Sequence, residues 1–386
     1  MIIAVDAAIP YWEEAFSNVG STRPFSAGKL KPEDIRDADI LAVRSVTSVN
    51  ASLLEGSSIQ FVAAASAGID HIDQNYLKAR GIRFIHAAGC NADSVSEYIV
   101  TALYTVASRR KWELKGKSLA VIGVGNVGSR VARKARALGM DVLLCDPPLR
   151  DSTGDPQYRP LDEVLAADIL SFHVPLVFEG PYPTWHMVDR KTLDRLSPKQ
   201  FLVNSSRGAV IDNRELKAAL QESRLQGAIL DVWEEEPRVD YSLLELLDIG
   251  TSHVAGSSLD GKIRATEMIR EAICQLLGIH LPLDLAKAYP KTRLLHPSQE
   301  AKGQDGVLSV LLQAYDILKD DAALRALHDL APEDAAMGFE LLRTKYAFRP
   351  EFHHFIVDLS QRHIDLAEAL IALDFKLAGK GHAVSG

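Results

Sequence analysis

The chain has 386 residues, 47% of them apolar and 24% charged, with a formal net charge of −8. That length exceeds one ordinary core, so two or three domains are expected, and the composition is that of a globular protein rather than a disordered one. A net negative chain lacks the basic face that grips a phosphate backbone, so no nucleic-acid partner is expected. No run reaches the roughly 18 apolar residues that span a bilayer, and MIIAVDAAIPYWEE lacks a basic leader region. The expectation is therefore no membrane partner and a cytoplasmic location. Cys90, Cys145 and Cys274 lie far apart without a CxxC pair. They read as reduced core residues, with no metal site.

Taken in chain order, short apolar runs recur with helix-like stretches between them. These are IIAVDA, ILAVRS, FVAAAS and RFIHAA, then LAVIGVG, DVLLCD, ILSFHV, FLVNSS, GAILDV and IGTSHV. Such alternation predicts parallel βα units, and runs this apolar fit strands covered on both faces. There are too many for one sheet. The first four form a group ending near Gly89, and Asp93 to Arg110 reads as a helix crossing to a second group that runs from Lys117 to about Gly256. LDGKIRATEMIREAICQLLG reads as a helix returning to the first group.

From about Leu281 a stretch rich in Pro, Lys and Gln reads as a linker. Beyond it, Val307, Val310, Leu311, Ala314 and Leu318 share one helical stripe, and Leu366, Leu370, Leu373 and Leu377 another. These stripes need a surface to pack on. The expected fold class is α/β, with two doubly wound parallel-sheet (Rossmann-like) domains and a small C-terminal α+β domain. The expected boundaries are residues 1–92 with 257–285, residues 93–256, and residues 286–386.

Gly123-Val-Gly125-Asn-Val-Gly128 follows the strand LAVI, opens a helix and leads into the strand DVLLCD. In that context GxGxxG predicts a dinucleotide site. The first glycine permits the tight turn, the second lets a pyrophosphate approach, and the third lets helix pack on strand. Asp146 ends the next strand, 18 residues beyond Gly128. Its carboxylate can accept hydrogen bonds from ribose hydroxyls and repel a 2′-phosphate, which favours NAD over NADP. The other reading of this residue is a local cap.

Three further segments each end a predicted strand: NSSRGAVID with Arg207, DVWEEEP with Glu236, and SHVAGSS with His253. The carboxyl ends of strands line the ligand crevice of such sheets. Together these side chains suffice to oxidise a 2-hydroxy acid. Imidazole, titrating near pH ~6.5, can take the hydroxyl proton. A glutamate can orient it and stabilise its charged form, while a guanidinium fork can grip a carboxylate. Singly, each has a plainer reading as a surface turn, a solvated acid or a satisfied histidine, and spacing alone does not bring them together.

The order GxGxxG, HVPL at 173–176, NSSRG at 204–208, DVWEEEP at 231–237 and SHVAG at 252–256 resembles the D-isomer-specific 2-hydroxyacid dehydrogenases over roughly the first 280 residues. The resemblance implies Arg207, Glu236 and His253 as the catalytic set. It places Gly123, Gly125, Asn126, Val127, Gly128, Asp146, Val174, Ser205, Ser206, Asp231 and Gly256 at the cofactor, NAD. It implies Arg44, Ser45, Ser66, Ala67, Gly68 and Ser257 at the substrate, in a split N-terminal domain that closes over a cleft.

GCNADSVSEY at 89–98, the insertion EGPYPTWH at 179–186 and the C-terminal extension resemble those members that handle a phosphorylated acid. For them the resemblance implies oxidation of 4-phospho-D-erythronate to its 2-oxo acid in pyridoxal phosphate biosynthesis, by a homodimer held through the C-terminal domain. Two other readings stay open: a 3-phosphoglycerate or glyoxylate-type dehydrogenase, and a corepressor-like NAD sensor.

Overall fold

The computed structural model describes residues 1–379. The chain divides into two compact units, Met1–Asn91 with Ser258–Pro290, and Ala92–Ser257 with the chain from Lys291 onward.

The first unit is built on five parallel strands in the order β2-β1-β3-β4-β5: β1 Ile2–Asp6, β2 Ser21–Phe25, β3 Ile40–Val43, β4 Phe61–Ala64 and β5 Arg83–His86. Alternate residues bury into opposite faces. Ile3, Val5, Ile40, Ala42, Phe61 and Ala63 pack with Ile269 and Ile273 of helix Leu259–Leu277, whereas Ala4, Leu41, Val43, Val62 and Ala64 pack with Leu54 and Leu77. This two-sided burial explains the unbroken apolar runs. β2, with the sequence STRPF, was not foreseen. It holds Pro24, which an edge strand tolerates because one side of it needs no donor.

The second unit carries six parallel strands in the order β11-β10-β9-β8-β6-β7: β6 Ser118–Ile122, β7 Asp141–Cys145, β8 Ile169–Phe172, β9 Phe201–Asn204, β10 Gly227–Leu230 and β11 Ile249–Gly250. Helix Ala92–Arg110 is buried at almost every position from Ala92 to Ala107. Its partners account for that. Leu119 and Val121 of the sheet share one core with it, and so do Val307, Val310 and Leu311 of helix Gly303–Ala314. The buried Thr101 and Thr105 hydroxyls are satisfied within the helix, donating to Glu97 O and Thr101 O, so the helix can be covered on all sides.

The C-terminal extension departs from expectation in three respects. The stretch read as a linker contains β12 Arg293–Leu295, which pairs with β13 Phe355–Val357, itself paired with β14 Lys376–Leu377. These strands exist through pairing across some sixty residues of sequence, which no local period reveals. The stripe from Val307 to Leu318 is broken at Tyr315, so Leu318 lies in the next helix, Ile317–Arg325. Leu377 lies on β14 rather than on the helix that holds Leu370. Finally, Val307, Val310, Leu311, Leu366, Leu370 and Leu373 are buried in the core that holds helix Ala92–Arg110. The surface these stripes needed is within the chain.

Candidate active site

The glycine-rich turn joins β6 to helix Asn126–Ala137. β6 pairs with β7 on one side and β8 on the other, so the turn lies where the strand order reverses, the usual ligand position in such a sheet. Gly123 has φ +87°, and a Cβ there would stand 2.8 Å from the His173 backbone at the end of β8; one on Gly128 would meet Gly123 O at 1.9 Å. Gly125, the helix N-cap, has nothing within 4 Å of its Cβ position. The first and third glycines close the turn. The second leaves room over the helix amides for a dinucleotide phosphate. Asn126 is exposed, while Val127 and Val174 are partly buried.

Asp146 is more occupied than its position suggests. Its Oδ2 accepts from the amide of Val124 within the turn (2.8 Å), and its Oδ1 accepts from Leu149 (3.0 Å), capping helix Pro147–Thr153. The local cap is real, and the same carboxylate ties the end of β7 to the turn. Each oxygen keeps a lone pair for a ribose hydroxyl. At the end of β9, Ser206 N and Oγ donate to Asn204 Oδ1 at 3.0 and 2.8 Å, while the Ser205 hydroxyl is buried without a hydrogen-bond partner among the described residues. His173 Nε2 meets Ser171 Oγ at 2.9 Å, and burial pushes its imidazole down to about 3. His173 therefore stays neutral and does no acid–base work near neutral pH.

The three expected catalytic side chains follow β9, β10 and β11, which are adjacent in the sheet. Two of them touch: His253 Nδ1 lies 2.6 Å from Glu236 Oε1. Burial works to raise the Glu236 carboxyl. The opposing effects of His253, of Arg343 in helix Pro332–Thr344 and of the Trp233 amide outweigh it and hold the group below its ordinary value. An ionised carboxylate only accepts, so Nδ1 carries a proton and Nε2 is left as the nitrogen that takes one up.

Arg207 is placed through backbone contacts. Asn204 Nδ2 donates to its carbonyl at 2.9 Å, and Arg207 Nη1 donates to Ser206 O at 2.7 Å. The next residue, Gly208, sits so close to the loop of Glu236 that a Cβ would lie 2.0 Å from Trp233 C and 2.4 Å from Glu234 N. That contact, which no spacing in the sequence encodes, brings the arginine loop against the glutamate loop.

His253 has φ +58°, a strained conformation for a non-glycine residue. Asp231 holds it there. His253 N donates to Asp231 O (2.7 Å), and the Asp231 carboxylate accepts from Val254 N (2.8 Å), Ala255 N (3.0 Å) and Thr251 Oγ1 (2.6 Å). Only 1% exposed, Asp231 is placed to hold this loop, a role the sequence reading did not foresee. Gly256 and Ser257 continue the turn, with Ser257 N donating to Val254 O at 2.9 Å. A second pair was also missed: His186, from the insertion, lies 2.5 Å from Glu234 Oε1, two residues before Glu236.

In the first unit, Arg44 follows β3 and its Nε donates at 2.8 Å to Asp6 at the end of β1, the point where that sheet reverses order. Ser45 beside it is exposed. After β4, Ser66 Oγ donates to Gly68 O at 2.8 Å, and His86 Nδ1 approaches Ala67 O at 3.0 Å, so the 66–68 loop is braced from within its own unit.

Residues 92–255 match the model of the D-isomer specific 2-hydroxyacid dehydrogenase, NAD binding domain. Among curated proteins, the chain is 42% identical over 366 residues to an erythronate-4-phosphate dehydrogenase of Salinibacter ruber, covering 92% of this chain and 93% of that one. It is 38% identical over 382 residues to the same-named protein of Marinobacter nauticus, covering 98% and 100%. Among solved structures it resembles the D-lactate dehydrogenase of Aquifex aeolicus complexed with NAD and lactic acid. That likeness has 26% identity and a TM-score of 0.60, over 72% of this chain and 96% of that one. The erythronate relatives thus extend across a part of the chain that the lactate enzyme leaves unmatched.

Proposed function

The chain belongs to the erythronate-4-phosphate dehydrogenase family, within the D-isomer-specific 2-hydroxyacid dehydrogenases, and on that premise we propose that it oxidises 4-phospho-D-erythronate to the 2-oxo acid in pyridoxal phosphate biosynthesis. The observation that carries the chemistry is the His253–Glu236 pair at 2.6 Å, with the Glu236 loop also abutting that of Arg207. NAD is the cofactor, and when bound it accepts the hydride from C2 of the substrate.

The chain's own residues do the remainder. His253 Nε2 takes the proton of the C2 hydroxyl, and Glu236 stabilises the imidazolium that results. Arg207 holds the substrate carboxylate with its planar fork. Gly123, Gly125, Asn126, Val127 and Gly128, with Asp146, Val174, Ser205, Ser206 and Gly256, hold the cofactor. Asp231 supports it by fixing the loop. For the substrate we assign the phosphate to Arg44 and Ser45 and the carboxylate to the Ser66–Gly68 loop, with Ser257. The anchoring of Arg44 by Asp6 supports the first assignment, because a guanidinium fixed at Nε loses less entropy on gripping an anion.

We also propose a homodimer through the C-terminal region. The buried stripes do not support it. The exposed Met337 (59%), Ile364 (68%) and Ile371 (57%) do. No helix among the described residues is long and apolar enough to cross a membrane. We propose a cytoplasmic location, for which the support is that the three cysteines are buried and in no disulfide among the described residues.

The test is turnover of purified protein with NAD and 4-phospho-D-erythronate, 3-phosphoglycerate, glycerate or D-lactate, read as nicotinamide reduction. The expected result is a kcat/KM for the four-carbon phosphate at least tenfold above the rest. Preference for 3-phosphoglycerate would overturn the substrate assignment, and no turnover of any acid would overturn the activity.

A further inference from the structure

The loop His253-Val254-Ala255-Gly256-Ser257 is held from two sides. Asp231 takes its amides, as described above. Its carbonyls meet a residue of the C-terminal extension: Arg349 Nη2 donates to Ala255 O at 3.0 Å, and Nη1 approaches Ser257 O at 3.4 Å. The same Nη2 donates at 2.7 Å to Ser94 O near the start of helix Ala92–Arg110. Arg349 is only 6% exposed, and its guanidinium lies 4.1 Å from the centroid of the Tyr315 ring, also in the extension.

A buried guanidinium is costly to desolvate and is retained where its donors find acceptors. Here two of the three acceptors, Ala255 O and Ser257 O, belong to the loop of the general base, and the third, Ser94 O, belongs to helix Ala92–Arg110. The loop needs such fixing, because His253 stands at φ +58° and a strained residue relaxes unless its surroundings over-determine it. Asp231 alone restrains only the amide side. With its carbonyl side loose, the turn can rotate about the Asp231 contacts and carry Nε2 away from its aim.

We infer that Arg349 is a positioning residue for the dehydrogenation. It joins the C-terminal extension to the catalytic loop within one chain, so that the aim of His253 depends on the extension whatever that region does between subunits. The inference rests on the reading of His253 as general base. Two features support it. Arg343, from the same extension, contributes to holding the Glu236 carboxyl ionised. The neighbouring segment is also pinned to helix Ala92–Arg110, since Phe352 N donates to Glu97 Oε1 at 2.7 Å.

The experiment uses the full chain and compares Arg349→Lys, Tyr315→Leu and Phe355→Leu. Lysine keeps the charge and loses the fork. Leucine at 315 removes the ring beneath the guanidinium. Phe355, 1% exposed in the core of the second unit, is altered as a control for stability. R349K should lower kcat by roughly 10- to 100-fold, the scale of a displacement of about 1 Å at a reacting group, with KM for NAD within about twofold. Y315L should lower kcat by several-fold, and F355L should lower Tm without lowering kcat. In protein with 13C-labelled histidine, the His253 Cε1 resonance should shift or broaden in R349K and not in F355L.

A folded R349K with kcat within twofold of the parent, or F355L losing kcat as much as R349K, would overturn the proposal. Should R349K fail to fold, an unchanged kcat in Y315L would do the same. If the parent protein turned over no 2-hydroxy acid, the functional reading would fail, while the His253 spectra would still decide whether Arg349 positions that residue.

Discussion

Replacing Gly208 with alanine tests the joint between the arginine and glutamate loops. An added Cβ would stand 2.0 Å from Trp233 C, 2.1 Å from Trp233 O and 2.4 Å from Glu234 N, where ordinary contact begins near 3.4 Å. All three are backbone atoms, so no side chain can swing aside. The 207–208 loop and the 233–234 peptide must part by roughly 1 Å or more, because interiors are close-packed. Overpacking of this kind costs about 1–3 kcal/mol, which should appear as a lower Tm. The larger consequence is catalytic. Arg207 immediately precedes Gly208 and Glu236 lies three residues beyond Trp233, so separating the loops moves carboxylate grip and base apart, and displacement on this scale costs roughly 10²-fold in rate. The assay is steady-state kinetics on the folded variant, with NAD affinity measured separately by NADH fluorescence. kcat should fall roughly 100-fold while NAD affinity stays within about threefold. Gly125→Ala is the comparison, since nothing lies within 4 Å of that position. It should fold like the parent and lose cofactor affinity instead. A G208A protein with parental kcat would refute the argument that this contact sets the geometry of the site.

Four further outcomes follow from the site and the extension. His253→Asn should lower kcat by roughly 10²- to 10⁴-fold while NAD still binds, and near-normal turnover would remove His253 as base. Glu236→Gln should move the rise of kcat/KM for oxidation to lower pH, since an uncharged partner no longer favours the imidazolium. The ionised Glu236 also contributes stability that is present above its ordinary value of 4.5 and lost as pH falls through its lowered folded value. E236Q should therefore flatten the acid side of a Tm profile, and an unchanged slope would contradict the pairing. Asp146→Ser keeps a helix cap but removes the charge, so the ratio of kcat/KM for NAD over NADP should fall, and an unchanged ratio would clear Asp146 of that role. Truncation near Lys302 should leave the second unit unstable, because Val310, Leu311, Leu370 and Phe352 fill the core around helix Ala92–Arg110. A cooperative melt at the parental Tm would refute that.

The sequence by itself determined the strands buried on both faces, because such strands are continuously apolar and local composition records it. It also determined the glycine turn, in which Gly123 takes a positive φ, Gly128 packs on Gly123 O and Gly125 leaves space, and the strand-end placement of Arg207, Glu236 and His253. Only tertiary structure decided how those three are held. The contact of Gly208 with Trp233, the clasp of Asp231 on the 253–255 amides and the donation by Arg349 to Ala255 O join residues that no period relates, the last pair 94 residues apart. The same holds for β12 and β14, two short segments that are strands only because they pair with β13, and for the apolar stripes of the extension. A stripe states that a face must be covered. Which surface covers it depends on the packed chain, and here much of that surface is the helix that begins the second unit.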